Sequence, residues 1–323
     1  MQGKVSPERS AVVTIYVGID VCKAWLDVYL HPIGRRFRVA NSRDGLKRLK
    51  RELANLEVAL IVMEATGKYH REAHRSLHAS GFVVAIVNPL RSRLFAEATG
   101  MLAKTDQLDA RILAILAESL APKSKPPAPE CLEELQELVR ARQAAVADLT
   151  ALTNQQGESK TAILKRELAR RIKVTEASIE RLEAEIERRI ERDPALARRY
   201  LILLSIKGVG PVAAASLLVG LAELGVCSGK QAALLAGLAP VACDSGDKRG
   251  ERRIRGGRGD VRAGIYMAAV AAARSNPDLR AFYRRLRHNG KLFKVAITAV
   301  MRKLVVLANT LIREDRLWQP NHA

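Results

Sequence analysis

The chain has 323 residues, with 54 Lys and Arg against 34 Asp and Glu for a formal charge of +20, and 48% of it is hydrophobic. That much apolar material builds packed cores, which excludes a disordered basic tail, and a charge far beyond the single digits usual for small domains predicts a polyanionic partner, nucleic acid first. With 2 Trp, 6 Tyr and 5 Phe, recognition of bases on an aromatic sheet is a poor expectation. The four cysteines, Cys22, Cys131, Cys227 and Cys243, form no CxxC pair, which argues against structural zinc and fits a reducing compartment. The start of the chain does not read as a signal peptide. The longest uncharged apolar stretch, between Lys207 and Glu223, contains Gly208, Gly210 and Pro211 and falls short of the roughly 20 residues a membrane span needs. A cytoplasmic protein with no membrane partner is expected.

Between two tails, 1–10 and 313–323, three segments are expected: 11–121, 122–199 and 200–312. Residues 1–129 hold 20 basic and 12 acidic groups and residues 200–323 hold 20 and 8, so two basic blocks flank a nearly neutral middle. In the first block Ala11–Val17 is an apolar, β-branched run leading to Gly18-Ile19-Asp20. Trp25–Leu30 and Arg36–Ala40 read as strands joined by a turn at His31-Pro32-Ile33-Gly34. Residues 43–55 have helical periodicity, Val58–Met63 is a buried strand ending in Glu64, Tyr69–Ser80 is helical, Phe82–Val87 is another buried strand, and a helix runs from Asp106 to about Leu120. Three antiparallel strands followed by βαβ units predict a mixed α/β sheet flanked by helices.

Acidic residues stand at telling places in that block. Asp20 follows the first strand and Glu64 the fourth, while Asp106 and Asp109 lie at i and i+3 on one helix face. Carboxylates at the ends of neighbouring strands converge on the crevice where open sheets hold ligands. Packed together they repel one another, which divalent cations offset, and hard oxygen ligands favour Mg²⁺, with Mn²⁺ as the alternative. Taken singly, each residue is as well explained as a turn or helix-start residue. His70, His74 and His78 repeat at i, i+4 and i+8 without a nearby acidic partner and are expected as surface histidines.

Pro122, Pro126, Pro127 and Pro129 make a stiff linker. Beyond it, Leu132, Leu135, Val139, Val146 and Leu149 recur three and four apart, and Ile172, Ile179, Leu182 and Ile186 repeat the pattern after a break at 153–160. A coiled coil or a helical hairpin satisfies this spacing equally well.

The second block is predicted all-α. Leu201–Leu224 reads as helix, hairpin, helix around Lys207-Gly208-Val209-Gly210-Pro211, where glycine backbone and a helix start can cradle a phosphate. Gln231–Gly237 follows as a helix. Then Lys248, Arg249, Arg252, Arg253, Arg255, Arg258 and Arg262 place seven cations in fifteen positions, punctuated by Gly250, Gly256, Gly257 and Gly259. Such a loop suits close approach to phosphates, and with Lys104, Lys207, Gly208 and Gly210 it forms the predicted nucleic-acid contact set. By composition alone Asp244-Ser245-Gly246 is a turn.

Tyr16-Val17-Gly18-Ile19-Asp20-Val21, Met63-Glu64-Ala65-Thr66-Gly67 and Lys104-Thr105-Asp106-Gln107-Leu108-Asp109-Ala110 closely resemble the signature of the DEDD transposases, the insertion-sequence family one-hundred-and-ten that includes the Piv-type invertases. The likeness extends over roughly 14–312, with the motifs in the family's order. It implies a RuvC-like, ribonuclease-H-like N-terminal domain with Asp20, Glu64, Asp106 and Asp109 as metal-binding catalytic residues. It also implies a protruding coiled coil that joins subunits into a homo-oligomer, a dimer or tetramer. Gly237–Pro240, Ser245-Gly246 and Arg262 match the family's second domain, where a serine in a Ser-Gly setting precedes a basic loop, and on that resemblance Ser245 is the nucleophile. Bridge-RNA-guided members link such a serine covalently to DNA, so double-stranded DNA and a structured guide RNA are the partners implied. Arg and Lys dominate 248–258 more than in a typical member, so single contacts there do not carry over. The rival readings are a metal-dependent, structure-selective endonuclease that uses water, and a non-enzymatic nucleic-acid-binding protein.

Overall fold

The computed structural model describes residues 13–101, 106–242, 244–246, 250 and 252–320, and its contacts group into two units, residues 1–128 and 129–323. In the first unit β1 (Ile15–Val21), β2 (Trp25–His31) and β3 (Arg35–Ala40) form an antiparallel meander, with Gly34 in the left-handed region at the turn. The chain then passes through α1 (Arg43–Leu53) to β4 (Val58–Glu64), parallel to β1, and through α2 (His70–Ala79) to β5 (Val84–Val87), parallel to β4. Two helices finish the unit, α3 (Pro89–Ala98) and α4 (Asp106–Leu120). The sheet order is β3-β2-β1-β4-β5, the mixed sheet of the RuvC-like class.

Strand alternation divides the core between the two faces. Ile15, Val17 and Ile19 of β1, with Ile61 and Met63 of β4, pack on one side against Leu46, Leu49 and Leu53 of α1. Leu60 and Val62 of β4, with Ala85 and Val87 of β5, face the other way onto Leu113 and Leu116 of α4.

Three expectations need correction. Residues 11 and 12 of the predicted apolar run lie outside the described residues; β1 opens at Ile15 and continues through Asp20, because Asp20 and Val21 pair with Asp27 and Leu26 of β2. The helix α3 has no counterpart in the predicted elements. Its start is well marked, by Pro89 and by the Asn88 side chain accepting from the Leu90 amide at 2.8 Å, but Leu90 and Leu94 are exposed and no apolar stripe announces it. His74 is not on the surface: it is buried, with Nε2 3.0 Å from the Lys125 carbonyl, because the proline-rich segment lies over α2.

The second unit is helical. α5 (Glu130–Glu158) and α6 (Ala162–Glu191) pack along each other as an antiparallel hairpin, stitched by Arg189–Glu134, by Arg142–Glu183 at 2.8 Å, and near the tip by the Gln156 amide on the Lys165 carbonyl. Leu135, Val139, Ile186 and Ile190 at its base join the core of the helices that follow. These are α7 (Pro194–Ser205), α8 (Pro211–Gly220), α9 (Gly229–Leu235), α10 (Gly259–Ser275), α11 (Pro277–His288) and α12 (Phe293–Arg313), with a small ribbon of β6 (Pro240–Val241) and β7 (Arg253–Ile254) before α10. By length and composition α12 is apolar enough to cross a membrane, but Ile297, Val300, Leu304, Val305 and Leu311 are spent on the core, and it is a core helix.

One contact in the first unit governs the rest. A Cβ added at Gly18 would stand 2.0 Å from the Ala110 carbonyl oxygen and 2.4 Å from the Ala114 amide nitrogen, so α4 crosses β1 where no side chain exists. Gly18→Ala is predicted to cost about 3 kcal/mol or more, as overpacking against backbone that cannot yield. Thermal unfolding followed by circular dichroism checks this, and a melting temperature equal to the wild type would show that α4 can shift freely.

Candidate nucleic-acid processing site

The Gly18 crossing sets the geometry of the acidic residues. Gly18 faces α4, and Asp20, two residues on, points to the same face of the sheet. On the neighbouring parallel strand Ile19 is in register with Met63, so Glu64 stands beside Asp20, about 5 Å away backbone to backbone. Glu64 shares the α4 face with Leu60 and Val62. Asp109, half-buried in the first turn of α4, immediately precedes Ala110, the residue that meets Gly18. Three carboxylates from β1, β4 and α4 thus belong to one end of one sheet face. Asp106 opens α4, and its side chain lies outside the described residues, as does Lys104. Among the described residues no three His, Cys, Asp or Glu already form a metal-binding cluster.

Two neighbours of this end are absent from the predicted set. Asp27 lies directly across β1–β2 from Asp20, on the same face, and is 8% exposed. Arg38 of β3 holds it with two hydrogen bonds, Nε to Oδ1 at 2.8 Å and Nη2 to Oδ2 at 2.9 Å, so its charge is matched within the sheet. Strand alternation identifies Asp27 only once the β1–β2 register is known. Ser92 of α3, 6% exposed, donates its hydroxyl to Glu64 Oε2 at 2.7 Å. Nothing local in the sequence marks it, since it depends on a helix without an apolar stripe. The Asp20 Oδ1 accepts from the amide of Val21 at 3.0 Å.

In the second unit Ser245 is exposed on the excursion that joins β6 to β7, paired at Pro240–Ile254 and Val241–Arg253. The Asp244 side chain closes this excursion by accepting from the Gly250 amide at 3.1 Å. Gly246, at φ +53°, has open space around it. The base, by contrast, is clamped. A Cβ on Gly257 would lie 2.1 Å from the Gly237 nitrogen, so two backbones touch there. Arg262 donates to the Gly256 carbonyl at 2.9 Å.

The predicted basic contacts divide accordingly. Arg258 places both guanidinium ends on Glu223, each at 2.7 Å, and also donates to the Gly220 carbonyl at 2.7 Å. Arg258 and Arg262 therefore work inside the fold. Arg252, Arg253 and Arg255 are exposed, and Lys248 and Arg249 lie outside the described residues. In the α7–α8 turn Lys207 is exposed, whereas Gly208 is at φ +103° and backs onto Ala272 of α10, where a Cβ would meet backbone at 2.6 Å. Gly208 is a packing glycine. Gly210 caps α8 with open space beside it.

A mixed sheet with carboxylates at one end of one face, joined in one chain to a basic helical unit, suits an enzyme that works on nucleic acid. Comparison with known proteins makes this specific. A DEDD, IS110-type family described as Transposase matches residues 17–158, and one described as Transposase IS116/IS110/IS902 family matches residues 200–284. Two relatives described as Pilin gene-inverting protein, from Moraxella bovis and Moraxella lacunata, are each 28% identical over 311 residues, covering 93% of this chain and 96% of the relative. The chain belongs to the IS110 family of transposases and is a DNA recombinase or transposase enzyme.

The Ser92–Glu64 bond gives a direct test of the site's construction. Ser92→Ala removes a buried donor to a carboxylate and is expected to cost about 1.5–3 kcal/mol, while Ser92→Thr keeps the hydroxyl and retains most of the stability. Chemical denaturation of both variants decides this. Equal losses in the two would show that residue 92 matters for its volume alone.

Proposed function

We propose that this protein cuts and rejoins DNA at two sites through an intermediate in which Ser245 is linked to a DNA phosphate. The observation that carries the reading is that Asp20 and Glu64 stand near the ends of adjacent parallel strands on the face that α4 covers, with Asp109 in the first turn of that helix, in a chain whose second unit presents an exposed serine on a loop with exposed arginines. The three carboxylates, with Asp106 from the start of the same helix, are hard oxygen donors of the kind Mg²⁺ or Mn²⁺ takes. When bound there, such an ion supplies positive charge to offset what develops on a phosphate in transit. The divalent ion, as Mg²⁺, and all four residues as its ligands belong to this proposal.

In the cutting step the Ser245 Oγ forms a bond to phosphorus and one phosphodiester oxygen of the strand leaves. The serine proton passes to solvent, and the displaced deoxyribose oxygen takes one up. The P–O bond energy stays in the serine ester, so a second strand's hydroxyl can displace Ser245 without an outside energy source. Hydrolysis by water would discard that energy. The relatives' description as gene-inverting proteins favours strand exchange over simple cutting, since inversion requires every cut end to be rejoined. Exchange also needs several protomers, and the α5–α6 hairpin is proposed to join them in a homo-oligomer. A structured guide RNA, as the family resemblance implies, would leave sequence reading to base pairing and backbone grip to a basic, aromatic-poor chain. A cytoplasmic setting belongs to the same reading.

The test is denaturing electrophoresis of labelled DNA, with and without protease. The wild type is expected to give a slow, protease-sensitive band that is absent from Ser245→Ala, and Asp20→Asn is expected to lose cleavage while keeping most of its DNA affinity, which comes from Lys and Arg. Recombination by Ser245→Ala at the wild-type rate would overturn the serine role and favour attack by water.

A further inference from the structure

A second cationic segment of this unit follows the Ser245 excursion in the chain. From 277 to 295 the chain carries six Lys or Arg and a single acidic residue, Asp278. α11 is strongly amphipathic: Leu279, Phe282, Tyr283 and Leu286 turn inward, and Arg280, Arg284 and Arg287, at i, i+4 and i+7, form one exposed stripe. Lys291 extends the stripe past the helix end, where the Arg287 guanidinium donates to the Lys291 carbonyl at 2.7 Å and fixes the turn. Among the described residues none of Arg280, Arg284 or Arg287 makes an ion pair, in contrast to Arg258, whose charge is consumed by Glu223. Arg285 and Lys303 sit over the Phe282 ring at 5.5 Å and 4.3 Å, which anchors the inner side of the helix.

The turn into α12 adds an apolar tip. Leu292 is 73% exposed and Phe293 44%, flanked by Lys291 and Lys294, and the Phe293 ring meets Tyr283 edge-on at 6.5 Å. A solvent-facing Leu-Phe pair between lysines does nothing for the core, which takes its residues from Ala296 onward. The second family match ends at residue 284, so most of this surface lies beyond it.

We infer that the exposed stripe of α11 with the α11–α12 turn is a duplex-DNA grip, separate from the Ser245 loop, in which the cations take phosphates of one strand and Leu292 presses into the minor groove. The stripe from Arg280 to Arg287 rises about 10 Å along the helix, a length matched by about three phosphates of one strand. Repulsion among cations at this spacing, with Asp278 the single acidic residue of the segment, is relieved by phosphates. An apolar side chain at a groove edge pries base steps apart and bends the duplex, as wedge residues do in architectural proteins. The inference rests on the reading of the chain as a DNA recombinase but not on Ser245 or the carboxylates.

The experiment uses the full chain and an end-labelled duplex of fixed sequence, titrated at several salt concentrations, with circular dichroism confirming wild-type folding of each variant. The triple variant Arg284→Gln/Arg287→Gln/Lys291→Gln is expected to bind at least about tenfold more weakly and to lower the slope of log affinity against log salt by about 2–3, near one per lost phosphate contact. Leu292→Ala is expected to leave that slope unchanged and to reduce the bend, read as energy transfer between dyes at the two duplex ends. An unchanged slope in the triple variant overturns the grip. A loss confined to a structured RNA, with duplex affinity intact, also overturns it and assigns the surface to RNA. An unchanged bend with Leu292→Ala overturns the wedge. Protease-sensitive trapping at saturating protein reports on Ser245 independently, so the inference and the reading it rests on fail by different signals.

Discussion

With no side chain at residue 18, backbone of α4 and backbone of β1 come as close as their own atoms allow. A helix that lies this low on a sheet brings its first turn level with the strand end, and for α4 that turn holds Asp109 and begins at Asp106. β1 continues two residues past the crossing to Asp20, and the parallel pairing with β4 puts Glu64 alongside. The acidic end is thus a consequence of one steric allowance and one strand register. Any residue larger than glycine at the crossing would lift the helix and carry Asp109 away from the other two.

Charge is distributed with equal economy. Carboxylates gathered in a chain of formal charge +20 gain long-range attraction from that field, yet like charges at close range still need local relief. Asp27, the buried carboxylate among the described residues, obtains it from the two-pronged Arg38 contact, and Glu64 obtains a hydroxyl donor from Ser92. The cations are sorted in the same manner. Arg258 and Arg262 hold the base of the Ser245 excursion, while Arg252, Arg253 and Arg255 stay exposed on it. A clamped base with an open excursion is what the proposed role of Ser245 calls for, a hydroxyl held out from a fixed place in the fold.

How far the sequence alone reveals this depends on the range of the interaction. The strands, α4 and the α5–α6 hairpin are legible, because each buries a face whose period is written in the sequence, two for strands and 3.6 for helices. The carboxylates are legible as candidates because they sit at strand ends and a helix start. Their family motifs then connect them. α3 is not legible, since Leu90 and Leu94 face solvent, while Phe95 packs on the core and Ser92 delivers a buried hydroxyl. Ser92 bonds a carboxylate 28 residues away, and Asp27 comes to stand opposite Asp20 only through the β1–β2 register, which no local pattern encodes. Gly208 shows another limit: a phosphate-loop motif predicts a ligand role, while the close passage of α10 at Ala272 gives the glycine a packing reason that no motif announces. Hydrophobic period reports burial, and motif reports chemistry. Neither reports which backbone lies against a glycine.

The proposed divalent-cation site depends on the Gly18 crossing, which sets α4 against β1 and β4. Anomalous scattering from crystals of the chain grown with Mn²⁺ tests it without reference to catalysis. The account predicts a manganese peak at the end of the α4-covered face, among the carboxylates of Asp20, Glu64 and Asp109, and no such peak in Asp20→Asn crystals. A structure in which Asp20 and Glu64 turn away from each other and manganese binds elsewhere would contradict it.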